Sequence, residues 1–511
     1  MCVKNLNVWQ RQLASVIFVV LIIFSLGSCV EKTHELILLH TNDSHGSILP
    51  VDGLGGMAER AAYIEMVRKE NPAVLLVDAG DINTGQAISN MYSARPDIEA
   101  YNYMRYDAIT AGNHEFDKPV DTLLLQMRLA QFPFVISNVE KDGKVLGKEY
   151  LIKEINGVKV GIFGLVTKNT ANVSIYAKDL TFTDEIQTAR KMVKLLRDQK
   201  VDIVIGLVHL GFTESTSDFI TSYKLAEQVG GIDILVDGHS HSYIEKPERV
   251  NNTWIVTANQ SGRYVGVGNM KVKGGHLMNF DWKPVQIKGI RPDSVLVKRL
   301  APYVVGADRD LSTVLGEATA EFNLYENGIN MVRYKEMALG DLIADALVWK
   351  ANDLKLKADF GLTNSGGIRE SLLAGKVTKG SILSILPFDN ELEIVAMKGR
   401  GVLQLFDFLA SVELGNGAFA QVSKEVQVVY DHKAKKLVSL KIGGLPVVED
   451  KVYYMATCDY VAAGKDGYNQ GLREIINREK TSRLLSDVVI EYIQEQKIIT
   501  PCTDGRIRFE Q

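Results

Sequence analysis

Between Leu36 and Val236 the chain repeats one local design: a short apolar run that ends in residues able to hold a cation or move a proton. Leu36–Leu39 leads into Thr41-Asn42-Asp43-Ser44-His45-Gly46. Val74–Val77 leads into Asp78-Ala79-Gly80-Asp81, and Ala108–Ala111 into Gly112-Asn113-His114-Glu115-Phe116-Asp117. Val201–Val208 ends at His209, and Ile232–Val236 delivers Asp237-Gly238-His239-Ser240-His241. Short apolar runs alternating with amphipathic stretches, here Gly56–Lys69 and Asp184–Asp198, are the pattern of βα units. In an open α/β sheet the carboxyl ends of the strands are where ligands are handled. The expected fold is α/β, with its chemistry gathered at that edge.

The donors at those strand ends are Asp43, His45, Asp81, Asn113, His209, His239 and His241. They are oxygens and imidazole nitrogens with no thiolate, a set for Zn, Mn, Fe or Mg-like ions rather than soft metals. Seven protein ligands are too many for one tetrahedral ion. They suit two ions that share a bridging carboxylate and leave positions for water and substrate. Asp-x-His and His-x-His put alternate side chains on the same side of an extended segment, so each pair can converge on one site. Any one of these histidines alone would read as a structural or surface residue; their joint placement makes coincidence the weaker account. Asp117, three residues beyond His114, can orient that imidazole and stabilise its protonated form. No nucleophilic serine or cysteine motif stands out.

A chain of 511 residues exceeds one ordinary core, so two domains are expected. A formal charge of −4 gives no electrostatic case for a nucleic-acid polymer as partner. The strongly apolar segment is N-terminal: Lys4 and Arg11 precede Leu13–Leu26, which has the flanks of a signal-peptide core and is short for a membrane span. Leu26-Gly27-Ser28-Cys29 resembles a bacterial lipobox, so residues 1–28 are expected to be a lipoprotein signal peptide and Cys29 its lipidated end. Acyl chains there would tether the protein to a membrane of the bacterial envelope, first of all the outer membrane, on its periplasmic or surface face. Cys2 would leave with the signal, and Cys458 and Cys502 remain as thiols whose proximity is open.

The rhythm breaks between Lys288 and Leu311, where Pro292-Asp293-Ser294 reads as a turn into a helix and Pro302 limits or kinks that helix. Residues 291–311 are expected to link a first domain (29–290) to a second (312–511). The second holds a helix pattern over Met337–Trp349 and a strand over Ala358–Leu362 that runs into Thr363-Asn364-Ser365-Gly366-Gly367-Ile368-Arg369. It also holds Ile385-Leu386-Pro387-Phe388-Asp389-Asn390, a strand over Val452–Thr457, and the glycine-rich loop Ala462-Ala463-Gly464-Lys465-Asp466-Gly467-Tyr468. Such loops alone are ordinary turns.

Asp43-x-His45, Gly80-Asp81, Gly112-Asn113-His114-Glu115, His209 and Gly238-His239-x-His241 resemble the calcineurin-like metallophosphoesterase signature. The full Gly-Asn-His-Glu-Phe-Asp form is similar to the bacterial 5′-nucleotidase and UDP-sugar hydrolase family. The resemblance implies a four-layer metallophosphoesterase sandwich followed by an α/β nucleotide-binding domain. It puts Asp43, His45, Asp81 and His241 around one divalent ion and Asp81, Asn113, His209 and His239 around the other. It makes His114 and Asp117 the catalytic dyad. In the second domain it implies that Phe388 and Tyr468 sandwich a nucleotide base while Arg333, Asn364 and Arg369 contact the substrate's polar parts.

The chain departs from the family at Ile329, where some members carry arginine, at Lys465 in place of a common glycine, and at Tyr468 in place of phenylalanine. The resemblance implies hydrolysis of nucleotide phosphate esters by attack of a water held between two divalent ions, first of all 5′-nucleotidase action. UDP-sugar diphosphatase or 2′,3′-cyclic-nucleotide phosphodiesterase/3′-nucleotidase activity is the alternative on the same site. A catalytically silent nucleotide-binding lipoprotein is a second alternative, and a thiosulfate-ester hydrolase a further one that the paired aromatics disfavour. A hinge between the domains is also expected.

Overall fold

A computed structural model describes residues 32–510 apart from 52, 175 and 213–219. The signal-peptide segment and Cys29 lie outside the described residues.

The first domain stacks two sheets between two layers of helices, as alternating side chains require. In the strand His34–Thr41, Leu36 and Leu38 face the neighbouring sheet while Leu39 faces helices. In Ile203–His209, Ile203, Ile205 and Leu207 take the inter-sheet side while Val204 and Val208 face outward. Strands buried on both faces read as unbroken apolar runs, which is why the sequence shows them so plainly. The first sheet has the order His276–Gln286, Tyr264–Lys273, His34–Thr41, Val74–Asp78, Ala108–Ile109. The second runs Glu248–Val250, Thr253–Val256, Ile234–Asp237, Ile203–His209, Val158–Val166, Tyr150–Ile155. The core strands of each sheet pair in parallel, so their carboxyl ends share one edge.

The helices expected from periodicity are present as Met57–Glu70 and Glu185–Asp198, the second capped by Asp184, which accepts from Gln187 N. The expected strand Ala108–Ala111 pairs only over Ala108–Ile109, because the chain leaves the ladder early to enter the ligand loop. The expected linker contains one continuous helix, Ser294–Leu311, with Asp293 as its N-cap. Pro302 does not end it: the missing N–H removes one helical hydrogen bond, while Leu296, Leu300 and Ala307 stay buried against the first domain.

The second domain centres on a sheet ordered Ala420–Val422, Phe360–Asn364, Val452–Cys458, Glu391–Lys398, Ile475–Leu484. The helix Ala338–Asp353 packs on it around Leu339, Ile343 and Leu347. Cys458 is buried and Cys502 exposed, and both are free thiols. Among the described residues no helix is long and apolar enough to cross a membrane.

Candidate dimetal site and interdomain cleft

All seven donors meet at the shared strand edge. Asp81 sits at the centre: its Oδ2 lies 3.0 Å from His209 Nε2, 4.0 Å from His45 Nε2 and 3.9 Å from His114 Nε2. Asp43 Oδ1 lies 3.7 Å from His241 Nε2 and 3.9 Å from His209 Nε2. His45 Nε2 and His241 Nε2 approach to 2.9 Å, and Asn113 Oδ1 lies 2.8 Å from His239 Nδ1. Asp43, His45 and His241, and likewise Asp43, Asp81 and His209, form groups compact enough to hold an ion.

The backbone beneath them is strained. Asp43 (φ 49°), His45 (φ 46°), Asp81 (φ 56°), His239 (φ 80°) and His241 (φ 53°) all occupy the left-handed region, which side chains adopt at a cost of about 1–3 kcal/mol each. Such strain persists only where surrounding contacts over-determine it. Glu115 is one source of those contacts. Its buried carboxylate accepts from Gly112 N (2.6 Å), Asp81 N (2.9 Å), Ile82 N (3.0 Å) and Asn83 N (3.1 Å), tying two ligand loops together. Asp237 does the same on the far side, accepting from Leu210 N and Gly238 N.

The pocket has the chemistry of a cation site. His45 Nδ1 lies 2.9 Å from Thr84 O and His209 Nδ1 lies 2.8 Å from Ala79 O, so both Nδ1–H groups donate outward and leave Nε2 lone pairs facing in. The fully buried His209 Nε2 has no hydrogen-bond geometry with any partner, although Asp81 is close. Burial pushes the Asp43 carboxyl up to about 7. The residues present therefore fit two divalent ions, with Asp43, His45, Asp81 and His241 available to one and Asp81, Asn113, His209 and His239 to the other.

His114 stands beside this cluster. Its Nδ1 is 2.5 Å from Asp117 Oδ2, which also accepts from Thr84 Oγ1 at 2.7 Å. Burial alone would lower the His114 pKa, but Asp117 and then Asp81 outweigh it and raise it above the usual imidazole value.

Across from His114 stands the second domain. Phe388 stacks on the His114 ring (centroids 5.9 Å, 24°), and Arg369 lies over Phe388 at 5.8 Å. Arg333, Asn364, Arg369 and Phe388 line the same cavity as the metal donors, a cleft of about 1540 Å³. Tyr468 is placed differently. Its ring is fully buried, tilted against Phe408 at 5.7 Å, and its hydroxyl donates to Ala418 O at 2.7 Å. Left-handed turns at Gly464, Asp466 and Gly467 fold the loop so that Tyr468 points into the core, while Asp466 and the preceding Tyr460 line the cleft.

Arg263 was not singled out from the sequence. It comes from the first domain and lines the cleft as well, and the buried Nε atoms of Arg263 and Arg333 lack hydrogen-bond partners. As cations lining the cleft, Arg263 and Arg333 suit an anionic substrate group there. No local motif marks Arg263, because its place depends on the loop around Asn259–Gly262 meeting the ligand loops.

Besides the Phe388–His114 stack, contacts between the domains include Lys118 with Asp389, Asn90 Nδ2 donating to Pro387 O (3.2 Å), and Lys465 Nζ donating to Ala171 O (3.0 Å). The Lys118–Asp389 pair is partly exposed and worth at most about 1 kcal/mol. Lys118→Ala should shift the chain toward a more open average shape in small-angle scattering and raise KM by about fivefold or less, with kcat little changed.

Residues 36–243 match the calcineurin-like phosphoesterase family and residues 314–473 match the 5′-nucleotidase C-terminal domain. A 5′-nucleotidase of Vibrio cholerae is 31% identical over 506 residues, covering 88% of this chain and 90% of that one. The chain belongs to the 5′-nucleotidase family. Protein UshA of Escherichia coli is 29% identical, covering 86% of this chain and 87% of its own. The crystal structure of a 5′-nucleotidase precursor from Thermus thermophilus superposes with a TM-score of 0.81 at 28% identity, covering 93% of this chain and 99% of that one. The protein is a metal-dependent phosphoric ester hydrolase that uses two divalent ions. Those ions supply Lewis acidity and an activated nucleophile for in-line attack on phosphorus.

Proposed function

We propose that the protein is a 5′-nucleotidase, hydrolysing nucleoside 5′-monophosphates to nucleoside and phosphate. The observation that supports this reading is the stack of Phe388 on His114, an aromatic ring of the kind that can stack on a base lying in the same cleft as the donors. The chain's own residues divide the work. Protonated His114, held by Asp117, stabilises charge on the phosphoryl oxygens and can give a proton to the departing oxygen. Phe388 offers a face to the base, and Arg333, Asn364 and Arg369 take the polar parts of the substrate. The intact His114–Asp117 pair argues against a catalytically silent binding protein.

Diphosphate substrates such as UDP-sugars are the second reading. Arg263 and Arg333 favour it, because both cations line a cleft of about 1540 Å³, which is larger than one mononucleotide needs. Cyclic nucleotides are a further candidate substrate class for the same site.

The test is a phosphate-release panel of AMP, UMP, UDP-glucose, 2′,3′-cyclic AMP and 3′-AMP with metal-stripped protein resupplied with Mn, Zn, Co or Mg. A coupled phosphatase reveals cleavage that leaves phosphate attached. Preference for AMP and UMP supports the nucleotidase reading, and preference for UDP-glucose replaces it with the diphosphatase. Stacking on an aromatic is worth about 1–3 kcal/mol per base, so Phe388→Ala should raise nucleotide KM by about 5–150-fold. A small aliphatic phosphoester should be spared; equal losses for both substrates would remove the stacking role.

Lipidation of Cys29, and with it attachment to a bacterial envelope membrane, completes the proposal. Mass spectrometry of the native N-terminus should show an acylated cysteine, and Cys29→Ala should release the protein from membranes.

A further inference from the structure

Arg60 lies on the Met57–Glu70 helix, where a cation would ordinarily face solvent, yet it is fully buried beneath the ligand loops. Its Nη1 donates to Ser44 Oγ at 2.7 Å and its Nη2 contacts Met57 Sδ at 2.7 Å; its Nε has no partner. None of these partners is a carboxylate, although the buried Asp78 and Asp97 lie near enough to act on the guanidinium through space. Burying a guanidinium without a direct ion pair leaves the surrounding hydrogen bonds to define its place.

The directions of those bonds come from counting protons. Tyr101 OH donates to Asp78 Oδ2 at 2.9 Å, which uses its only proton. Ser44 Oγ, 2.9 Å from Tyr101 OH, must then donate to it, while accepting from Arg60. Asp78 also accepts from Thr41 Oγ1 (2.5 Å) and from Gly80 N (2.8 Å). The result is a directed chain, Arg60 to Ser44 to Tyr101 to Asp78, with every member buried.

Two of its members touch the strained loops. Ser44 stands between Asp43 and His45, and Gly80 (φ 90°) directly precedes Asp81. The guanidinium also lies against Gly262, where an added Cβ would come within 2.8 Å of Arg60 Cζ. The neighbouring Ser261 N donates to Asp43 O at 2.7 Å. One buried charge thus sits between three segments that carry or fix metal donors.

We propose that Arg60, Ser44, Tyr101 and Asp78 form a hydrogen-bond relay that positions Asp43, His45 and Asp81 and so sets the affinity of the site for divalent metal. They are positioning residues, since none touches substrate. The proposal rests on the dimetal reading of the site and is independent of which nucleotide is preferred.

The deciding experiment is metal binding by the full chain, measured as Mn and Zn dissociation constants by competition with a chromophoric chelator. Thermal unfolding of the metal-free protein is measured beside it. Tyr101→Phe removes one hydroxyl and breaks the relay while keeping the ring. Loss of a group that orients metal ligands typically weakens metal affinity by about 10–100-fold, and that is the expected result. Activity should return as metal concentration is raised. Tyr101→Phe combined with Asp78→Asn should be no weaker than the worse single variant, because both cut one chain.

Unchanged metal affinity in Tyr101→Phe overturns the proposal, as do losses that simply add. A lowered unfolding temperature with unchanged affinity assigns the network to packing alone. Arg60→Met is the harsher variant; if it fails to fold, Tyr101→Phe and Ser44→Ala decide. Failure of the parent protein to bind either metal would instead remove the dimetal reading itself.

Discussion

His114→Ala is expected to lower kcat by about 10²–10⁴-fold while the protein still binds both equivalents of metal. That range is the usual contribution of a positioned general acid or base. Retention of metal is a consequence of geometry. His114 Nε2 lies 3.9 Å from Asp81 Oδ2 and can join a compact donor group with His45 and Asp81, but Asp43–His45–His241 and Asp43–Asp81–His209 are complete without it. Asp117→Asn should produce a smaller loss of the same kind, because Asp117 orients His114 and favours its charged form. Stopped-assay kinetics with metal analysis by emission spectroscopy checks both variants. Parent-like kcat in His114→Ala would remove His114 from the chemistry. Loss of metal along with activity would make it a structural support.

Asp81→Asn is expected to be more damaging still. Asp81 lies close to His45, His209 and His114 together, and it is the donor both ions would share. The amide keeps the volume and the left-handed backbone of the site but removes the charge that two cations require. Metal content should fall below two per chain. With it should go several kcal/mol of transition-state stabilisation, a loss of about 10³-fold or more in kcat/KM. Stripping the parent with a chelator should reproduce the loss, and adding Mn or Zn should reverse it; the variant should not recover at the same metal concentration. Full activity in Asp81→Asn would mean that the two ions do not share this residue.

These two residues were legible in the sequence for the same reason. Each comes after an apolar run that could only be a buried strand, and each is a polar residue at the end of that strand. The burial pattern of Ile203–His209, alternating between inter-sheet and outer cores, shows why such runs stand out. Glu115 was visible as part of a motif, but its role was not. A carboxylate that gathers four backbone N–H groups depends on loop positions from 80 to 83 that no spacing rule supplies.

Tyr468 and Arg263 show the opposite limits. A glycine-rich loop in the sequence shows that the chain turns there, but which side chain it delivers depends on several left-handed residues in succession. Here they send Tyr468 inward and leave Tyr460 and Asp466 at the cleft. Arg263 reads as one more surface cation until the two domains are assembled.

By itself the sequence determined the α/β class and pointed to the candidate donors and the His114–Asp117 pair, since unbroken apolar runs and the residue types at their ends are properties of short segments. Tertiary structure decided which loops share a carboxylate, where Arg60 is buried, and which side chains close the cleft from the second domain. Those contacts join residues far apart in the chain. Their geometry is set by packing between sheets and domains, which no local pattern of hydrophobicity encodes.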